Sequence, residues 1–355
     1  MATTKCVLTG ATGHIGYPLL LELLESGENP TILIRKDHAM FDNLDVPKVR
    51  GDVTDPDSLV KAFEGADVVY HLAGMIDISK GHTERIREIN VGGTRNVVEA
   101  CRKCGVRRLV YMGSVDTYVP LPGHLQMTEK DHYDPNWLEG DYAKTKAEAT
   151  NYVLAQNGVD GLETVVCQPA ACTGPYDYKV SSIGVMVRMY MQGVFNMKMD
   201  FGAYNFVDVR DVAHATHMAA STGRPGECYI LSGYEMSVSD FVCTLAKVSG
   251  KKPPFITLTK RFISTIAPGT ELYYRLVKQT PLITPYSIRK LCSNCNFSNE
   301  KAKRDLDLHP MSVEDSMRDM MAWIREHEGD PKETLKGDVR RHLPMLAILS
   351  YMKRG

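Results

Sequence analysis

Apolar residues in the first 170 positions fall into two alternating kinds of run. Short blocks such as KCVLTG (5–10), PTILIRK (30–36), ADVVYHLAG (66–74), RRLVYMGS (107–114) and LETVVCQP (162–169) are apolar at successive positions. They lack the in-out alternation of a strand with one wet face, and so fit a parallel sheet covered by helices on both sides. Between them, HIGYPLLLELLESG (14–27), PDSLVKAFEG (56–65), INVGGTRNVVEACRKCG (89–105) and the run starting YAKTKAEA (142–149) read as helices. Gly27 closes the first helix, and Pro18 falls in its first turn, where a missing amide hydrogen costs least. Repeated β-α-β units imply right-handed crossovers, so the pattern predicts an α/β fold built on a doubly wound parallel sheet.

After Pro169 the rhythm changes. Residues 170–204 are rich in Met and Gly around one helical run, SSIGVMVRMYMQG (181–193). A strand and a helix return at YNFVDVRDVAHATHMAAS (204–221), ECYILSG (227–233) adds a strand, and helices and loops follow with many prolines. The expected division is a sheet domain over 1–169 and about 205–233, a smaller and mostly helical substrate lobe over 170–204 and 234–330, and a tail over 331–355. Loops 75–89 and 176–200 are expected to line the pocket.

Composition changes this picture little. The chain has 355 residues, 43% hydrophobic and 24% charged, with a net charge of −1. That balance gives no field for nucleic acid or an acidic membrane. MATTKCVLTG lacks a signal-peptide pattern, and LPMLAILSYM (343–352) is about half the length of a span, so a cytoplasmic protein with no membrane span is expected. Nine cysteines then read as reduced thiols. Two CxxC pairs, Cys101 with Cys104 and Cys292 with Cys295, match zinc-ligand spacing. The first pair lies late in a regular helix, so no metal is expected.

The chemistry begins at TGATGHIG (9–16), which follows the first strand and opens the first helix. Gly10 permits the tight turn, Gly13 lets a pyrophosphate approach the backbone, and Gly16 lets the helix pack on the strand. With Thr12, His14 and Ile15 they form a dinucleotide loop whose free amides face phosphates. This is the Rossmann arrangement. Arg35 stands 19 residues past Gly16, where an NAD site has an acidic residue, and Lys36 follows it. A guanidinium matches a 2′-phosphate bidentately, so NADP is favoured. Asp37 is close enough to keep NAD open, and Arg35 stacking on adenine is the alternative reading. Asp52 and Val53, in RGDVTD, end the third strand where adenine would lie. Asp52 equally suits a cap of the next turn.

Tyr142 and Lys146 are four apart and share one helix face. A carbonyl that gains a hydride needs a proton for its oxygen. A tyrosine, with an ordinary pKa near 10, becomes a better proton partner beside an ammonium. Lys146 can also hold the nicotinamide ribose. Ser114 closes the strand RRLVYMG at the sheet edge where such folds bind ligands, placed to orient the substrate oxygen.

With HLAG (71–74), Asn90 in INVGGTRNV, YMGSV, YAKTK, QPAACTGP (168–175) and FVDVRDVA (206–213), these segments resemble the extended short-chain dehydrogenase/reductases. That is the NAD(P)-dependent epimerase/dehydratase superfamily, and the match runs over about residues 4–330. The resemblance implies a catalytic Ser114, Tyr142 and Lys146. It places Leu72, Ala73, Gly74, Asn90, Met112 and Pro169 along the cofactor, with Asn90 supporting rather than reacting. It also implies a homodimer pairing the helices 90–104 and 141–157.

Family dehydratases carry an Asp-Glu pair after the catalytic Ser/Thr, whereas here Ser114 precedes Val115, Asp116 and Thr117. Nucleotide-sugar epimerases have a basic residue just before the FVDVRDVA-like segment. Here Tyr204 and Asn205 stand there, with Arg210 inside, and Gln168 replaces the usual Arg before Pro169. Arg35, LITPYSIRKL (282–291) and SVEDSMRDMMAWI (312–324) resemble the dihydroflavonol reductase-like branch, which reduces ketones or aldehydes on apolar small molecules. Met186, Met189, Tyr190, Met191, Phe195, Met197 and Met199 are candidate pocket residues, though Met at these spacings is more often core. The expected activity is hydride transfer between NADP and a carbonyl or secondary alcohol of a dihydroflavonol- or steroid-like small molecule. The alternatives are a sugar or nucleotide-sugar epimerase/dehydratase, a cofactor-sensing regulator, and a membrane-associated steroid dehydrogenase using the apolar tail and FISTIAPG (262–269).

Overall fold

The computed structural model describes residues 5–76, 83–193, 197–265 and 285–329. Phe195, most of the loop 75–89 before residue 83, part of FISTIAPG and the C-terminal tail lie outside the described residues. In chain order the first strands are β1 (Lys5–Thr9), β2 (Asn29–Ile34), β3 (Lys48–Arg50), β4 (Val68–His71), β5 (Arg108–Met112) and β6 (Glu163–Pro169). The second half supplies β7 (Ala171–Thr173), β8 (Lys198–Met199), β9 (Ala203–Asp208), β10 (Glu227–Leu231), β11 (Tyr234–Ser237) and β12 (Thr257–Leu258). The main sheet has the order β3-β2-β1-β4-β5-β6-β10, and every pairing in it is parallel. The order reverses between β1 and β4, which opens the crevice where such sheets bind ligands.

The apolar runs explain the layers. β4 and β5 are buried at every position, as strands covered on both faces must be. The helix Gly16–Glu25 turns Leu19, Leu20 and Leu23 into the core, each fully buried and worth about 1.5–3 kcal/mol of apolar transfer. The helix Val209–Ala219 packs on it from the same side.

The segment 205–233 divides between the sheets. β9 sits with β7 and β11 in a separate three-stranded sheet, while β10 completes the main one. Phe206 points into a second core and Val207 into the first, so β9 is the seam between lobes. That second core joins the helices Ser182–Met191, Val238–Val248 and Val313–Glu328. It contains Phe206 stacked against Phe241, with ring centroids 4.7 Å apart. Met189, Tyr190, Met191, Met197 and Met199 are buried in it, and Met186 packs against it, so the methionine-rich run is chiefly core. Met199 alone among them also reaches a cavity wall.

No helix among the described residues is long and apolar enough to cross a membrane. The cysteines are unpaired, and no cluster among the described residues could hold a metal.

Candidate functional site

The glycine loop is built of backbone contacts that leave no room for side chains. Gly10 has φ +80°, and a Cβ there would lie 2.6 Å from the Ala73 nitrogen. A Cβ on Gly16 would lie 2.1 Å from the Gly10 carbonyl oxygen. Gly13 N donates to that same oxygen at 2.8 Å, which closes the turn. The amides of Thr12, His14 and Ile15 meet no acceptor among the described residues, leaving a row of donors at the start of a helix. Such a cradle fits the pyrophosphate of a dinucleotide. Gly16→Ala is expected to cost about 1–3 kcal/mol of stability through overpacking. Cofactor affinity should fall at the same time; titration calorimetry and a thermal melt measure both, and unchanged values would mean that the loop can yield.

The ends of β2 and β3 carry the predicted ribose and adenine residues. Arg35 and Lys36 are exposed just beyond β2, and Arg35 Nη1 lies 3.9 Å from Asp52 Oδ2. Asp52 Oδ1 accepts from the Thr54 amide and hydroxyl, both at 2.9 Å, so it caps its own turn while its other oxygen faces Arg35. Burial alone would raise the Asp52 pKa, but the Thr54 donors and then Arg35 leave it lowered. Asp52 and Val53 follow β3, which ends at Arg50, rather than ending the strand themselves. Val53 is buried against Gly93, where a Cβ would stand 2.8 Å from its Cγ2. Asp37 is ion-paired with Arg50.

At the other side of the crevice the helix Asp141–Ala155 presents Lys146 inward. Lys146 is 5% exposed; its Nζ donates to the Met112 carbonyl at 2.7 Å and to the Tyr111 hydroxyl at 3.3 Å. The ammonium also lies 4.8 Å from the Tyr111 ring centroid. Burial lowers the Lys146 pKa to about 7. Leu72 and Ala73 follow β4, their amides held by the Thr9 carbonyl and hydroxyl. Gly74 comes next; a Cβ there would meet Asn90 Oδ1 at 3.3 Å and Lys146 Nζ at 3.5 Å. The β4 loop, Asn90 and Lys146 are therefore one cluster.

Asn90 sits in a π-helical turn, Glu88–Gly92, a distortion common at functional sites. Its amide bridges both backbone groups of Met75 and donates to Thr145 Oγ1, tying the β4 loop to the Tyr142 helix. Tyr142 is half-buried one turn before Lys146, near enough to Tyr111 to raise that phenol's pKa further beyond the effect of burial. Ser114 caps a short turn: its Oγ accepts from Asp116 N at 3.1 Å, which leaves its own proton for another acceptor. Pro169 closes β6 at the same edge.

Sequence reasoning missed the buried network behind Lys146. His71 Nδ1 accepts from Thr9 Oγ1 at 2.8 Å, and its Nε2 donates to Thr94 Oγ1 at 3.1 Å, while Thr94 donates to the Asn90 carbonyl. Burial first, then the Lys146 charge, lowers the His71 pKa to about 3, so the ring stays neutral. The unexplained Gln168 also acquires a role. Its Oε1 accepts from the Tyr118 and Tyr133 hydroxyls, and its Nε2 donates to Thr117, bracing the turn after Ser114.

Two further charges are already spent. Arg210 pairs with Asp208 and with Asp319 of the last described helix, both at 2.8 Å. Asp116 pairs with Lys290 at 2.7 Å. A cavity of about 860 Å³ is bounded by the loop 120–124 and by residues of the second lobe, with Leu121, Lys198, Asp200, Glu235, Leu291 and Cys295 among its walls, and none of Ser114, Tyr142 or Lys146 lines it.

This fold, glycine cradle and Tyr-Lys helix define an extended short-chain dehydrogenase/reductase, an oxidoreductase that works with a nicotinamide cofactor. Residues 7–242 match the family model described as the 3-beta hydroxysteroid dehydrogenase/isomerase family, and the chain belongs to that family. Sterol demethylase protein B of Methylococcus capsulatus is 31% identical over 326 residues, which cover 90% of this chain and 98% of that protein. A putative dihydroflavonol 4-reductase of Synechocystis is 27% identical, with 90% of this chain and 94% of that one covered. Among solved structures, that of gox2253 superposes with a TM-score of 0.80 at 27% identity, covering 92% of this chain and 99% of the other.

Proposed function

We propose that the protein is an NADP-dependent dehydrogenase/reductase acting on a ring alcohol or ketone of a sterol-like molecule. The observation that carries the NADP half is the charge inventory at the end of β2. Arg35 and Lys36 are exposed there, while Asp37, the carboxylate that would favour NAD, is engaged by Arg50. The sterol half rests on the family and on the sterol-related relative.

The residues take complementary parts. Thr12, His14 and Ile15 offer amides to the pyrophosphate, and Arg35 faces the adenosine ribose. When bound, the cofactor supplies or accepts the hydride. Ser114 donates to the substrate oxygen, Tyr142 gives or takes the proton on that oxygen, and Lys146 keeps that phenol acidic while holding the nicotinamide ribose.

A nucleotide-sugar substrate is disfavoured because its diphosphate needs cations. Arg210 and Lys290 are both committed to carboxylates. Nor does a Glu follow Asp116 to complete a dehydratase acid pair.

The test is a panel of 3-hydroxysterols, dihydroflavonols and UDP-glucose, incubated with NADP(H) and NAD(H) in parallel. Net reduction of NADP+ by a 3-hydroxysterol, at a rate well above that of NAD+, is the expected result. Interconversion of a UDP-sugar without net change in the cofactor would replace this reading with the epimerase one.

A further inference from the structure

The phosphate loop is touched by a segment 160 residues away in sequence. His14 Nε2 donates to the Pro175 carbonyl at 3.0 Å, with the Gly174 carbonyl at 3.3 Å. Lys179 Nζ donates to Thr12 Oγ1 at 2.7 Å. Residues 174–181 therefore form a strap from the second lobe that lies against the glycine loop.

The strap is firmly held. Asp177 is buried and pairs with Arg188 at 3.1 Å, and it accepts from the amide and hydroxyl of Ser181. Tyr176 and Tyr178 pack on Tyr17 of the first helix, with centroids 5.4 and 5.3 Å away, and Tyr178 meets Trp323 edge-on at 4.9 Å. Tyr176 and Val180 have φ of 68° and 53°, left-handed values that a β-branched residue adopts only under constraint. The anchored, strained backbone holds the Lys179 main chain beside the glycine loop, where the ammonium meets Thr12.

What it is delivered to is a surplus of positive charge. No carboxylate among the described residues pairs with Lys179. Lys179 is exposed, yet the protein packed around part of its side chain and then the charge of Arg35 both lower its pKa. The nearest carboxylate to Arg35 is Asp52 at 3.9 Å, already occupied through its other oxygen by Thr54. Lys179 on Thr12 of the loop and Arg35 just beyond β2, each within reach of the other's charge, put two cations beside free loop amides, an arrangement complementary to an anion.

We propose that Lys179 is a specificity-determining residue that grips the 2′-phosphate of NADP jointly with Arg35, reaching it from the second lobe. The inference rests on the NADP reading above. It links cofactor choice to the second lobe, through a residue no glycine motif contains. A compact ammonium on a doubly charged phosphate forms a charge-assisted hydrogen bond, and its loss should weaken NADP+ about tenfold or more.

The test is direct binding of NADP+ and NAD+, by titration calorimetry, to wild type, Lys179→Met and Lys179→Arg. The two ligands differ only in the 2′-phosphate. Lys179→Met should raise the Kd for NADP+ about tenfold or more and leave that for NAD+ nearly unchanged, with Lys179→Arg recovering most of the loss. Equal weakening of both ligands would place the ammonium elsewhere and overturn the inference, as would undiminished NADP+ affinity. If wild type itself binds NAD+ as tightly as NADP+, the NADP reading falls. If wild type prefers NADP+ and Lys179→Met keeps that preference in full, only the assignment of Lys179 falls.

Discussion

Tyr142→Phe is expected to lower kcat by about three orders of magnitude, within the usual range for removing a positioned acid or base. The Kd for NADP+ should stay nearly unchanged. The substitution deletes one oxygen and keeps the ring, so the helix Asp141–Ala155 retains its packing through Ala143, Ala147 and Val153, all buried. Cofactor contacts assigned to Lys146, the glycine loop and Arg35 are untouched by it. Separating turnover from binding is what distinguishes a proton donor from a binding residue. Turnover within tenfold of wild type would remove Tyr142 from the chemistry. The Ser114 hydroxyl, whose proton the turn leaves uncommitted, would then be the group to examine next.

The elements nearest this site were the easiest to read from the sequence, and there is a physical reason. Strands covered on both faces and a glycine turn are imposed by local composition, so β1, β4, β5, β6 and the loop 9–16 stand where the apolar runs put them. β9 was harder. Its Phe206-Val207 pair is apolar like those of the main-sheet strands, and local pattern cannot tell which of two sheets a strand will join; Phe206 and Val207 serve different cores. Gln168 looked like an arbitrary change because its partners Thr117, Tyr118 and Tyr133 lie 35 to 51 residues away. Lys179 and His71 were overlooked for the same reason, since an ammonium in a loop and a histidine in a strand have no periodicity to betray them. What a sequence pattern carries is the shape of an element; what it omits is which distant polar groups that shape brings together.

Lys146→Met should abolish activity and yet yield a more stable protein in the absence of cofactor. The wild-type ammonium is almost wholly enclosed, and burial brings its pKa from the ordinary 10.5 down to about 7. A fall of that size corresponds to roughly 4–5 kcal/mol of penalty on the charged form. Removing the ammonium also takes a donor from the Met112 carbonyl, a cost of about 1–3 kcal/mol. Methionine has similar length and packs well among apolar neighbours, so a net gain of about 1–3 kcal/mol is expected where the lysine is charged.

The pH dependence fixes the cause. Below about pH 7 the lysine is protonated in both the folded and unfolded chain, and the folded wild type bears the whole penalty. Between about 7 and 10.5 the unfolded chain binds a proton that the folded one lacks, so wild-type stability climbs with pH and the variant's advantage shrinks. Thermal melts of both proteins at pH 6 and pH 9 measure this directly. A variant less stable than wild type at pH 6 would mean that the bonds to Met112 and Tyr111 outweigh the burial of the charge. A larger gain at pH 6 than at pH 9, with turnover gone, would show that this ammonium is kept at the expense of the fold, as expected of a group retained for its chemistry.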